Sequence, residues 1–308
     1  NYDFKFSKRT QMNKSLEFRA DIGMIFVAIA FGLGYLPTSQ ALASNNVFVL
    51  LFWRFFAASI IAGAIFFPKL KAITSREIKH GAVLSLFLFA GFTSQTFAFK
   101  FAQSSSVAFI IGLNVALVPF IAAALFRHKI YSYAYAGIAL AVIGLYLIGD
   151  TQLGLGKGEA LALVCACAYS FHIVLTNRFV QSCDVAGIAY VQILCLSVLC
   201  CFAAIFFERV SIVPVMDRSF FVAMAVICLL GTVFGFFAQA LMQKYTTPVK
   251  TALFFTLEPV TAGIMGVFVG GERLSAMQIL GAALILVGVL ISEIGSYLSA
   301  KRSRSAEV

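Results

Sequence analysis

Apolar residues in this chain run in long unbroken stretches separated by short polar turns, without the strict in-out alternation of barrel strands. Ten such stretches fall at 20–43, 46–67, 79–101, 104–125, 131–149, 158–179, 186–207, 219–243, 248–270 and 275–299. Each is close to the roughly 20 residues that a helix needs to cross about 30 Å of hydrocarbon. Continuously apolar runs favour helices, and in lipid a helix satisfies all of its own backbone groups. The expected fold is an all-α integral membrane protein of ten transmembrane helices. No turn between spans is long enough for a soluble domain, so any chemistry has to take place inside the bundle or at its faces.

The second half of the chain repeats the first. At an offset of 144 residues, Gly91-Phe92-Thr93-Ser94-Gln95 falls on Gly235-Phe236-Phe237-Ala238-Gln239, Lys100 on Lys244, Leu113-Asn114 on Leu257-Glu258, Gly137 on Gly281 and Gly144 on Gly288. At an offset of 138, Ala20-Asp21 falls on Gly158-Glu159, Phe31 on Tyr169 and Arg54 on Gln192. Five spans therefore repeat as five, at 20–149 and 158–299, between an N-terminal segment 1–19 and a tail 300–308. Because five is odd, the second copy is expected to enter the membrane from the opposite face, giving a 5+5 inverted-topology repeat. Exchanging two shapes between such halves turns a cavity open to one side into a cavity open to the other, which makes transport by alternating access the leading expectation.

Composition agrees with this pattern. Of 308 residues, 61% are hydrophobic and 12% charged, against about a quarter charged in an ordinary soluble domain. A net charge of +10 gains its meaning from position. Both ends of the chain and the turns after even-numbered spans carry seventeen of the 23 Lys and Arg. The other turns carry Lys100, Lys157, Arg209, Arg218 and Arg273, and Arg54 lies within span two. By the positive-inside rule both termini are cytoplasmic; the basic charge is topological and calls for no nucleic acid. The run Ile22 to Leu36 followed by Ala41-Leu42-Ala43 imitates a cleavable signal peptide, but it has a partner in span six and is read as span one. Seven cysteines show no CxxC spacing and read as thiols packed between helices, with no metal and no cofactor expected.

Polar side chains in mid-membrane are costly unless they face protein or water, so they are the candidate substrate-binding and translocation residues. Glu258 stands in span nine just before Pro259, whose missing N–H frees a backbone carbonyl one turn earlier. Two uses fit it: a contact for a substrate amine or a proton, and a carboxyl that fixes helix packing. Its repeat-mate Asn114 occupies mid-span four. Tyr169 and His172, three apart on span six, share a face, and Tyr35 on span one joins them. Gln95 and Gln239 occupy matching places in spans three and eight. Arg54 could hold a carboxylate, although reaching the outer headgroups or a structural ion pair is the commoner use. Gly137, Gly144, Gly281 and Gly288 form a seven-residue stripe in spans five and ten that reads as scaffold or as the surface of a homodimer.

Arg54-Phe55 in span two, Leu257-Glu258-Pro259-Val260 in span nine, and Gly271-Glu272-Arg273-Leu274 leading into Gly281-Ala282-Ala283-Leu284-Ile285-Leu286-Val287-Gly288 stand in the order and at the spans of a known pattern. Over residues 17–297 the chain resembles the EamA-type permeases of the drug/metabolite transporter superfamily. The resemblance implies a ten-helix inner-membrane carrier, commonly an exporter of amino acids or related metabolites. Departures from it are Phe31 and Tyr169 where the family usually has Trp, and His128 where the first repeat would match Glu272. No ATP-binding loop and no catalytic motif are present, so the expected function is secondary transport of a small polar molecule and not enzyme catalysis. Protons or a counter-substrate could drive it. A drug or nucleotide-type exchanger, a lipid-handling protein and an intramembrane enzyme are the alternatives.

Overall fold

The protein, seen as a computed structural model, is described at residues 14–126, 132–148, 156–288 and 290–291. Within these residues all regular structure is helical, and eight helices are long and apolar enough to cross a membrane: Phe18–Ala41, Val47–Leu70, Ser75–Ala98, Ser104–Phe126, Lys157–Phe179, Val185–Glu208, Arg218–Gln243 and Lys250–Val269. They match spans one to four and six to nine, with every end within four residues of its expected place. Spans five and ten are represented by the shorter helices Ser132–Ile148 and Ala276–Gly288. The rest of both, with His128, residues 1–13 and the tail 300–308, lies outside the described residues.

Polar caps at the ends of the apolar runs decide where the helices start. Span three begins earlier than its hydropathy predicts because Thr74 and Glu77 form a capping box ahead of the apolar run. The Asp184 carboxylate accepts from the amides of Ala186 and Gly187 to start span seven. Thr247 with Pro248 at the first helical position starts span nine. Asp217 starts span eight and also ties it to the preceding turn, accepting from Ser219 Oγ at 2.6 Å, Phe220 N at 2.7 Å and Ser44 Oγ at 2.5 Å. Those bonds, led by Ser219, hold its carboxyl down at about 2. The sign follows: the tie contributes stability above the ordinary carboxylate pKa of about 4 and loses it only as pH falls through about 2, so it persists at any physiological pH.

A different carboxylate explains the Gly271-Glu272 motif. Gly271 turns the chain with φ +67°, a conformation that favours glycine, and places Glu272 over the start of span four. There one Glu272 oxygen accepts from Ser104 N at 3.0 Å and Ser104 Oγ at 2.5 Å, and the other from Ser105 N at 3.1 Å and Ser105 Oγ. Two amides of a helix first turn are thus satisfied by a side chain from the other half of the molecule. Removing it in Glu272→Ala strands these donors and is expected to lower stability by about 1.5–3 kcal/mol, with Glu272→Gln recovering part of the loss; thermal unfolding in detergent measures both.

Helix contacts come in repeat-related pairs. Span three packs on span six as span eight packs on span one, span four on six as nine on one, and span seven on three as span two on eight. Spans two and seven, and spans four and nine, meet each other directly. Two hydrophobic clusters result, one built mainly from spans one, four, six and nine, the other from spans two, three, seven and eight. In the glycine stripe, a Cβ on Gly144 would stand 2.5 Å from the Gly281 carbonyl oxygen. At this point the stripe serves contact between spans five and ten of one chain. All seven cysteines are free thiols; Cys165, Cys183, Cys200 and Cys228 are buried, whereas Cys167 is exposed.

Candidate functional site

Four spans depart from a regular α-helix where they meet the centre of the bundle, span one doing so at Gly34, between Leu33 and Tyr35. Span four is interrupted between Ile111 and Asn114, and span nine at Thr256, between Phe255 and Leu257. Each interruption is a single tight turn: Leu113 N bonds Ile110 O at 3.0 Å, and Thr256 N bonds Leu253 O at 3.2 Å. The two breaks are equivalent at the offset of 144, and each delivers the next polar residue, Asn114 or Glu258, to the middle of the molecule. They also touch, since a Cβ on Gly112 would lie 3.1 Å from Pro259 Cγ. Span eight runs as a π-helix over Met224–Phe234 before returning to α-helix at Gly235. Such wide turns are frequent at functional sites.

The cavity between the spans has about 650 Å³ of space, its opening included. Tyr35, Arg54, Gln95, Asn114, Tyr169, His172, Gln239 and Glu258 all line it. These eight residues come from seven spans and from both repeats. Span two contributes through Arg54. Phe31, Phe92, Phe236 and Phe255 add aromatic surface to the walls.

Glu258 is buried and accepts a 2.8 Å hydrogen bond from the Tyr35 hydroxyl across spans nine and one. Asn114 is 2% exposed, and its Oδ1 has no hydrogen-bond partner. Its backbone carbonyl at the break is satisfied by Ser170 Oγ at 3.0 Å. His172 Nε2 stands 3.2 Å from Gln192 Oε1 and 3.3 Å from Thr176 Oγ1, so this histidine is held by its neighbours while its ring faces the cavity. Arg54 is 7% exposed; its Nε donates to Thr232 Oγ1 at 2.9 Å, and its guanidinium lies 4.4 Å from the Phe92 ring centroid and 5.2 Å from that of Phe55. It pairs with no carboxylate among the described residues, where a structural ion pair was one expectation.

The two repeats meet the cavity with matching aromatic rings. The Tyr169 ring sits on Gly91, where a Cβ would come within 2.3 Å of it, and the Phe31 ring sits on Gly235 with 2.4 Å. Only one ring is tied: the Tyr169 hydroxyl donates to Gln95 Oε1 at 2.7 Å. Phe31 has no hydroxyl to offer Gln239, whose amide instead reaches Gln243 at 3.5 Å.

Beyond the cavity, at the end bearing the turn between spans eight and nine, the bundle is drawn together. Asn177 Nδ2 donates to the carbonyls of Gln243 at 2.9 Å and Thr246 at 3.0 Å, and Lys250 lies 3.5 Å from Asp21. No group of His, Cys, Asp and Glu suited to a metal ion occurs among the described residues.

Sequence reasoning missed Thr232, Phe92, Phe236 and Gly32. The two phenylalanines could have been found, since they stand inside the matched Gly-Phe segments of the repeat. Thr232 carried no such signal because its place depends on the π-helical register of span eight.

Tyr35→Phe removes the hydroxyl but keeps the ring. It is expected to weaken whatever depends on the Glu258 orientation by about 1 kcal/mol, or roughly fivefold, and ligand titration of both proteins measures the difference.

Known proteins place this architecture. An uncharacterised transporter of Archaeoglobus fulgidus is 27% identical over 281 residues, covering 88% of this chain and 85% of that protein. The uncharacterised inner membrane transporter YedA of Escherichia coli K12 is 25% identical over 249 residues, covering 80% and 81%. The uncharacterised transporter YyaM of Bacillus subtilis is 24% identical over 288 residues, covering 89% and 90%. A solved crystal structure shares the fold with a TM-score of 0.68 at 20% identity, over 91% of this chain and 98% of the other. The sequence profile of the EamA-like transporter family matches twice, at residues 18–149 and 156–293, so that both repeats carry it and the chain belongs to that family of membrane transporters.

Proposed function

We propose that the protein is a secondary transporter that carries a small polar metabolite, an amino acid or a related compound, out of the cell by alternating access. The observation that carries this reading is the meeting of Glu258 and Asn114 at two repeat-equivalent helix breaks on one cavity. The second oxygen of Glu258 is an acceptor suited to a protonated amine, and Asn114 Oδ1 is a buried acceptor still without a donor. Aromatic walls would take the apolar part of such a molecule.

In this reading ten helices form a 5+5 inverted repeat in the inner membrane, with both termini cytoplasmic as the basic turns require. The Asn177 and Asp21–Lys250 contacts then close the cytoplasmic end, and opening them exposes the cavity to the inside. The export direction is supported by the family resemblance.

A ligand panel of amino acids, nucleosides, polyamines and drugs on the purified protein tests the reading. A ligand that binds only the native state at 100 times its Kd stabilises it by about 2.7 kcal/mol, so amino acids or their relatives should raise Tm. Stabilisation by nucleosides or drugs alone would favour the exchanger reading instead.

A further inference from the structure

Arg54 and Gln192 are equivalent in the two repeats, yet their surroundings differ in a way that leaves one of them open. In the second repeat, Gln192 is met by His172 at 3.2 Å, and His172 by Thr176 at 3.3 Å. At the same offset of 138, the first repeat has Gly34 where the second has His172, and Thr38 where it has Thr176. Gly34 offers no side chain, and the Thr38 hydroxyl is spent on the Gly34 carbonyl at 2.6 Å. Arg54 is therefore without the partner that its counterpart has. Its one hydrogen bond, from Nε to Thr232, holds the side chain while leaving both Nη atoms without a protein acceptor among the described residues. Neither Nη atom is sealed in the protein, and the residue lines the cavity.

We infer that Arg54 is the seat of a carboxylate or similar planar oxyanion on the transported molecule, held by the two Nη groups that the fold leaves unpaired. A buried guanidinium with no counter-ion is expensive, and its fork geometry matches a carboxylate bidentately. Phe55 and Phe92 lie against the guanidinium and steady it without competing for its N–H donors. The inference rests on the transport reading and deepens it: the cargo carries an acidic group, and exchanging that group for a neutral amide removes recognition.

The test compares a panel of L-amino acids with their C-terminal amides, by thermal stabilisation of the purified protein and by flux in proteoliposomes, in wild type, Arg54→Gln and Arg54→Lys. Arg54→Gln installs the residue that the second repeat already has at this position. The expected result is that wild type binds acids at least about tenfold more tightly than the amides, and that Arg54→Gln loses this preference. Arg54→Lys keeps a cation without the fork and should retain a reduced preference. Acids and amides bound equally by wild type would overturn the carboxylate seat and leave the transport reading standing. Wild type that neither binds nor moves any member of the panel would overturn both. An Arg54→Gln protein that keeps the full acid preference would also overturn the seat, and if that variant does not fold, a full preference in Arg54→Lys would do the same.

Discussion

Glu258→Gln is expected to cut transport efficiency on the order of 100-fold while leaving the folded protein nearly as stable as wild type. Removing one charged member of a desolvated interaction typically costs 2–5 kcal/mol, and the cargo amine would supply the other member here. Stability should change little because the Gln carbonyl oxygen can still accept from Tyr35, the only side chain bonded to Glu258 among the described residues. Flux in proteoliposomes and thermal unfolding must be read on the same preparation. A large fall in Tm with unchanged flux would make Glu258 a packing group, the second of the two uses that its position in span nine admits.

Gly32→Ala is expected to damage both the fold and transport. A Cβ at Gly32 would stand 2.6 Å from the Glu258 carbonyl oxygen and 2.7 Å from Thr261 Cβ, so spans one and nine touch there nearly backbone to backbone. The first of these neighbours is main chain and cannot swing aside. Overpacking of this kind costs about 1–3 kcal/mol, and the shift falls on the segment that carries Glu258 and its Tyr35 contact. Both Tm and flux should therefore drop. Gly63→Ala in span two provides the contrast, because its Cβ would meet only Tyr190 at 3.5 Å, an ordinary van der Waals contact. Equal behaviour of the two variants would contradict the close approach at Gly32.

Much of this was legible from residue order because a bilayer imposes simple rules. Hydropathy located the spans, and the cost of polarity in hydrocarbon singled out Glu258, Asn114, Arg54 and the others that now share one cavity. The two offsets made residues on separate spans comparable before any contact was known. Helix irregularity was less visible. Pro259 marked the break at Thr256, one turn before it, but the counterpart at Gly112-Leu113 has no proline at the matching place. The π-helical register over Met224–Phe234 is a matter of packing, not of composition, and it decides that Thr232 meets Arg54. Gly32 looked like any small residue in an apolar run, since only the folded pair of spans shows what lies opposite it. The surroundings of Arg54 were less legible for a related reason: Gly34, on another span, stands where the second repeat has His172.

Counterflow in proteoliposomes most directly tests the central claim, that this cavity carries cargo by alternating access. Vesicles loaded with an unlabelled amino acid identified by the ligand panel are diluted into a trace of the same labelled compound, in the absence of any other gradient. The account predicts saturable uptake of label that is accelerated by internal substrate and lost in Glu258→Gln. Uptake that is absent, or that rises linearly with concentration and ignores the internal pool, would contradict it.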